Sequence, residues 1–180
     1  LKYQIHTSSQ YLLKIPIELK RGIMKALIVT ESCFGNTEQV AQAIASGLRS
    51  RGVEAAVVQA NQSPKIDDIK LLIIGAPTHS LGLPKPATRR QANAKGGHAE
   101  ESGVSEWLDA LPKLQGRRVA AFATVTGGRF TGSAARAIAK KMRRHSADVV
   151  ACEDFLVSAT QGPIADGELT RAEQWGAALI

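Results

Sequence analysis

From residue 24 onward, short apolar runs alternate with stretches in which apolar residues recur every three or four positions. The runs at 26–29, 53–58, 71–74, 119–123 and 149–157 read as buried strands, and Pro77 ends the third. Between the first two, Val40, Ala41, Ile44, Ala45 and Leu48 recur at helical spacing within 37–51, and Gly52 follows as the residue that closes a helix. The same periodicity predicts helices at 104–111, 133–144 and 168–179. The stretch 81–102 has no period and holds Pro84, Pro86, Gly96 and Gly97, so it reads as a long mobile loop. Five buried strands alternating with helices require crossovers, and right-handed crossovers place helices on both faces of a parallel sheet. The expected class is α/β in three layers. In such sheets ligands sit beyond the carboxyl ends of the strands, which directs attention to the loops after strands one, three and four.

Composition narrows this picture. The 180 residues suit one domain, with 44% hydrophobic and 22% charged residues, ordinary globular usage. The wholly apolar run at 71–74 is far short of the ~20 residues of a membrane helix, so no membrane association is expected. Two cysteines, Cys33 and Cys152, cannot staple a chain of this size and are compatible with a reducing cytoplasm. The net charge of +7 invites a nucleic-acid partner. Part of it is peripheral, however: residues 1–23 carry Lys2, Lys14, Lys20 and Arg21 against Glu18 alone. Aromatic residues make up only 4%, too few for a basic surface interleaved with stacking platforms, and no nucleic-acid partner is expected. Residues 1–23 read as a leader, an appended piece or an added edge element. Lys14 and Pro16 break their apolar stretch, so no secretory signal is expected there. The domain is expected to span 24–180.

After the first strand comes Thr30-Glu31-Ser32-Cys33-Phe34-Gly35-Asn36-Thr37-Glu38. Small and hydroxyl residues around Gly35 let backbone N–H groups turn inward, and Ser32 and Thr37 add hydroxyls at the positive end of the next helix. This is a phosphate cradle, or else a plain turn capped by Asn36 or Thr37. A Walker loop is excluded because no lysine stands between Lys25 and Lys65, and a dinucleotide fingerprint because the loop has one glycine. Low-molecular-weight tyrosine phosphatases need an arginine six positions after their cysteine, where Gln39 stands. Cys33 at a helix N-terminus is still expected to have a lowered pKa. A receiver domain needs an aspartate after strand three, where Gly75 and Ala76 stand.

The run Ser32-Cys33-Phe34-Gly35-Asn36-Thr37-Glu38 resembles the signature of the flavodoxin family, a hydroxyl residue, two variable positions and Gly-Asn-Thr. Gly75-Ala76-Pro77-Thr78-His79-Ser80 resembles the strand-three loop of the flavin reductase branch. Thr124-Val125-Thr126-Gly127-Gly128 stands where the family's third loop reaches the flavin. The endings Gly162-Pro163-Ile164-Ala165-Asp166-Gly167-Glu168 and Arg171-Ala172-Glu173-Gln174-Trp175-Gly176 are also similar to bacterial members. The resemblance covers 24–180. It implies a sheet in the order 2-1-3-4-5 and an FMN site, with the phosphate in the 32–37 cradle and the ring between Pro77, Thr78, His79 and Ser80 on one side and Thr124, Val125, Thr126, Gly127 and Gly128 on the other. It further implies electron transfer through bound flavin to a redox partner protein or a small acceptor. The alternatives are an NAD(P)H-dependent FMN quinone reductase, some of which complete their sites as homo-oligomers, and a flavin-free interaction module.

The chain departs from the family in three respects. No Trp or Tyr stands in the second or third loop to stack on a flavin. His79 is either a ring contact or a loop histidine, and Phe34 either packs under its loop or touches the ribityl chain. Second, typical carriers are acidic, whereas this domain is basic even without residues 1–23. Third, Lys85, Arg89, Arg90 and Lys95 lie in the 81–102 loop, either as a solvated face or as a site for an acidic partner or the 2′-phosphate of NADPH. Arg129 either faces the flavin or lies on the surface. Trp107 and Trp175 fall in helical patterns as core anchors, and His98, His145 and Cys152 lack metal-ligand spacing.

Overall fold

A computed structural model describes residues 24–128 and 132–180. The expectations for residues 1–23 and for Arg129 therefore lie outside the described residues. The strands are β1 (Lys25–Thr30), β2 (Glu54–Gln59), β3 (Leu71–Pro77), β4 (Arg118–Thr126) and β5 (Asp148–Val157). The helices are α1 (Asn36–Ser50), α2 (Pro86–Ala94), α3 (Val104–Ala110), α4 (Ala134–Arg144) and α5 (Glu168–Ala178). All strand pairs are parallel, in the order β2-β1-β3-β4-β5.

Each central strand is apolar on both faces because helices cover both. Ala26, Ile28, Leu71, Ile73, Ala120 and Phe122 face α1 and α5, while Leu27, Val29, Leu72, Ile74, Val119 and Ala121 face α3 and α4. Two glycines allow α1 and α5 to touch backbone to backbone. A Cβ on Gly47 would lie 1.9 Å from the Glu173 carbonyl oxygen, and one on Gly176 would lie 2.3 Å from that of Ile44. At the outer edge the rings of Phe122, Phe155 and Trp175 pack edge to face, with centroids 6.3 and 6.0 Å apart, and the Arg171 guanidinium lies 4.5 Å above Phe155. Trp107 is buried in the opposite core. Both tryptophans are thus anchors, as the helical pattern predicts.

The structure corrects the reading of 81–102 as a loop, since α2 occupies nine of its residues. Arg89 is neither a solvated loop cation nor a free ligand for an acidic partner or a nucleotide phosphate. It is 2% exposed and donates to both carboxylate oxygens of Glu31 (2.7 and 3.2 Å) and of Glu106 (3.0 and 2.7 Å). The physical reason is charge pairing across the fold. Glu31 also accepts from the Val104 N–H (2.9 Å) and Glu106 from that of Gly103 (2.9 Å). One arginine thus ties the end of β1 to α2 and α3. A Cβ at Gly103 would lie 2.1 Å from Glu31 Oε2, so a side chain there would push this network apart.

Candidate functional site

The direction of winding reverses between β1 and β3, and the loops that leave their carboxyl ends flank a cleft. The Glu31 N–H continues the sheet by donating to the Gly75 carbonyl at 3.0 Å. Four residues later Gly35 takes φ +84°, a left-handed conformation that glycine adopts freely. Gly35 is the N-cap of α1, which corrects the expectation of Asn36 or Thr37 in that role; both lie buried in the first turn. Because glycine brings no capping side chain, none covers the first-turn amides of α1.

Hydroxyls line the cleft beyond. Thr37 Oγ1 and Thr124 Oγ1 share a hydrogen bond of 2.9 Å that joins the first and third loops. The Thr78 N–H donates to the Thr124 carbonyl (2.9 Å), and Thr78 Oγ1 accepts from the Ala134 N–H (3.1 Å). Ser32 Oγ is buried and has no hydrogen-bond partner among the described residues. The narrow part of the cleft measures about 70 Å³ and widens into about 190 Å³ walled by Phe34, His79, Ser80, Thr88, Gln91 and Lys95, among others. Together they approach the lower end of the ~300–1,000 Å³ usual for small-molecule sites.

Of the residues singled out in the sequence, Ser32, Cys33, Phe34, Asn36, Thr37, Pro77, Thr78, His79, Thr124 and Thr126 line the narrow part, and Ser80 the wider part. Val125 instead packs into the core between the sheet and α4, while Gly127 and Gly128 are exposed beside the cleft. Sequence reasoning missed Val157 and Thr160, which close the cleft from the end of β5 and the loop that follows it. That loop bears no phosphate-binding pattern, and only its position at the carboxyl edge of the sheet singles it out. It packs on Asn36 so closely that a Cβ at Gly162 would lie 2.5 Å from Asn36 Oδ1.

Electrostatics corrects a further expectation. Burial and the neighbouring Glu31 carboxylate push the Cys33 thiol up to about 11, against the lowering influence of Arg89, so it is not activated. Burial also lowers the pKa of His79, whose Nδ1 lies 3.1 Å from Thr88 Oγ1; the Glu31 carboxylate opposes this and Arg89 adds to it. Burial would depress the pKa of Arg89 itself, but its bonds to Glu31 and Glu106 outweigh this and hold it raised. Among the described residues no group of His, Cys, Asp and Glu is arranged to hold a metal ion, and no helix is long and apolar enough to cross a membrane.

A parallel 2-1-3-4-5 sheet with a hydroxyl-lined, lysine-free cradle at its switch point defines the flavodoxin-like class of α/β proteins. The family model for flavodoxin matches residues 28–175, and the chain belongs to the flavodoxin family. No curated protein matches it. Among solved structures it is similar to a flavodoxin from the domain Archaea (23% identity over 87% of this chain and 96% of that one, TM-score 0.61). It is also similar to oxidised flavodoxin 1 from Bacillus cereus (21%, 85% and 95%, TM-score 0.62). A WrbA-like flavodoxin from Agrobacterium tumefaciens matches at 16%, over 86% and 94%, with a TM-score of 0.55.

The cofactor of this family is FMN. The residues present fit its phosphate: Ser32 Oγ is a buried hydroxyl with no partner, and the uncapped first turn of α1 lies beside it. For the ring, Phe34 and His79 are the aromatic walls that the wider part of the cleft offers among the described residues.

Proposed function

We propose that this protein is an electron carrier that holds FMN between the loops after β1, β3 and β4. The phosphate lies against Ser32, Asn36, Thr37 and the first-turn amides of α1. Hydroxyl and amide donors bind a dianion there without a lysine, because the helix end supplies the positive potential. Pro77, Thr78, His79 and Ser80 border one side of the ring, and Thr124, Thr126, Gly127 and Gly128 the other. FMN when bound supplies the one- and two-electron chemistry. The chain's part is to bind it, orient it and set the dielectric around it, with a neutral His79 at the cleft and no ionised thiol beneath.

The observation that carries this reading is the buried, unpartnered Ser32 Oγ in the cradle. A flavin-free fold has no use for such a group, whose desolvation costs ~1–3 kcal/mol when it is left unmet. The quinone reductase reading is weakened because Arg89, one of the cations that would grip a nucleotide 2′-phosphate, is enclosed by two carboxylates. Titration with FMN, followed by quenching of flavin fluorescence and a shifted visible spectrum, tests the proposal. The expected outcome is saturable one-to-one binding; no binding at tens of micromolar FMN would overturn it. Steady NADPH oxidation with a quinone would replace the carrier by the reductase.

A further inference from the structure

Helix α4 carries Arg136, Lys140, Lys141, Arg143 and Arg144 and not one acidic residue. The 157 residues from Met24 onward hold 19 Lys and Arg against 15 Asp and Glu, so outside α4 the count is 14 against 15. The positive excess of the domain therefore resides on a single helix.

The helix turns about 100° per residue, so Arg143, Arg136, Lys140 and Arg144 fall within a stripe about 100° wide. All four are exposed, on the side opposite the buried Ala135, Ile138, Ala139 and Met142. None of the four side chains makes a hydrogen bond or ion pair among the described residues, whereas Lys141 at the margin is paired with Asp109 at 2.6 Å. Lys113 extends the stripe, its Nζ donating to the Arg144 carbonyl at 2.7 Å. The cations nearest the helix C-terminus favour the helix dipole, but Arg136 stands in the first turn, where that dipole opposes it. Folding therefore does not account for the whole stripe.

The surroundings identify the kind of partner. Arg136 and Arg143 act electrostatically on the exposed Cys152 of edge strand β5, as do Asp154 and Glu153. On that strand Val150, the extra residue at the irregularity opposite Val119 and Ala120, is 37% exposed and Leu156 43%. Exposed cations beside exposed apolar residues match a protein interface, in which apolar contacts adjoin charged ones. The continuous phosphates of a duplex would leave the exposed Val150 and Leu156 without an apolar counterpart. A second copy of the chain would set one basic stripe against another. The helix that carries the stripe starts beside the cleft, since the Ala134 N–H donates to Thr78 Oγ1 and Thr78 lines it.

We infer that the Arg136–Lys140–Arg143–Arg144 face of α4 is the docking surface for an acidic protein partner. The surface belongs to the carrier reading, because a partner seated there sits beside the flavin. Charge complementarity there steers encounter and sets the register of the pair, and it weakens as salt shortens the Debye length.

Poly-L-glutamate serves as the probe, with the full chain in low salt. The stripe variant R136E/K140E/R143E is compared with K25E/K65E/K70E, which changes the net charge equally elsewhere on the surface. The native chain is expected to bind poly-L-glutamate, the stripe variant at least roughly tenfold more weakly and the control variant within about threefold of native. No binding by the native chain, or equal weakening in both variants, would overturn the inference. Tighter binding of a DNA duplex or phosphatidylserine vesicles than of poly-L-glutamate would also overturn it in favour of those partners. FMN titration of the stripe variant is expected to give native affinity, so the two readings fail separately: loss of FMN binding in the native chain refutes the carrier, and loss of the stripe effect refutes the docking surface.

Discussion

Ser32 shows how one side chain can act in opposite directions on folding and on binding. Its hydroxyl lies buried without a partner, so Ser32→Ala removes a group that the fold gains nothing from desolvating. The melting temperature of the flavin-free protein is expected to hold or rise. A hydrogen bond to a charged phosphate contributes ~1.5–3 kcal/mol, so FMN affinity is expected to fall roughly 10- to 100-fold. Calorimetric melting and FMN titration check the two signs; a lower melting temperature with unchanged affinity would make the residue structural. The two cysteines make a second contrast. Both thiols are raised, Cys33 to about 11 and Cys152 by partial burial and the neighbouring Asp154, so accessibility separates them: Cys33 is buried and Cys152 is exposed. A disulfide reagent at mildly alkaline pH is expected to modify one thiol per chain, and Cys152→Ser to abolish that reaction. Fast labelling of Cys33 would contradict the closed geometry beneath the cradle.

Helix α2 explains where reading the sequence stopped. The strands are legible because each is a run of apolar residues, and α1 because five apolar side chains share one face. In α2 the buried residues are only Arg89 and Ala92, so its inner face is a charge and hydrophobic periodicity carries no signal of it. Its partner Glu31 stands 58 positions earlier, and only the fold brings them together. Arg89→Met is therefore expected to destabilise the protein by ~3–5 kcal/mol, because it leaves the Glu31 carboxylate buried without its cation. Urea unfolding measures this; a loss under ~1 kcal/mol would show the pair to be dispensable. The contact between α1 and α5 is tested by Gly47→Ala. Alanine favours a helix by up to ~1 kcal/mol over glycine, yet here its Cβ would collide with the Glu173 carbonyl, so destabilisation is expected.

Across the whole molecule the parallel three-layer class follows from alternating strands and helices, whereas the order β2-β1-β3-β4-β5, and with it the switch point, was legible only through the resemblance carried by the loops after β1, β3 and β4. The closure by Val157 and Thr160 was not legible, because it depends on where β5 ends against the sheet rather than on any motif. The same long-range ties set the response to acid. Glu168 accepts from Arg171 at 2.8 Å and from the Leu156 N–H at 2.6 Å, which together outweigh burial and hold its pKa below normal. Glu106 is also lowered, since its bonds from Arg89 and Gly103 overcome the opposing effect of burial. For both, the unfolded chain takes up the proton first as pH falls, so their stabilisation is complete above ~4.3 and is lost as pH passes down through the depressed folded values. His79 acts earlier. With its folded pKa lowered by burial, the unfolded imidazole protonates first, and stability starts to fall below pH ~6.5. Urea midpoints measured from pH 8 to 3 are therefore expected to show a shallow decline below about pH 6.5 and a steeper one below about pH 4.3. His79→Asn should remove the first. Glu168→Gln should lower the midpoint at pH 7 and flatten the second, because the unprotonatable amide loses the ion pair at every pH. Identical acid limbs in the native and Glu168→Gln proteins would mean that the tie between β5 and α5 does not hold the fold together against acid.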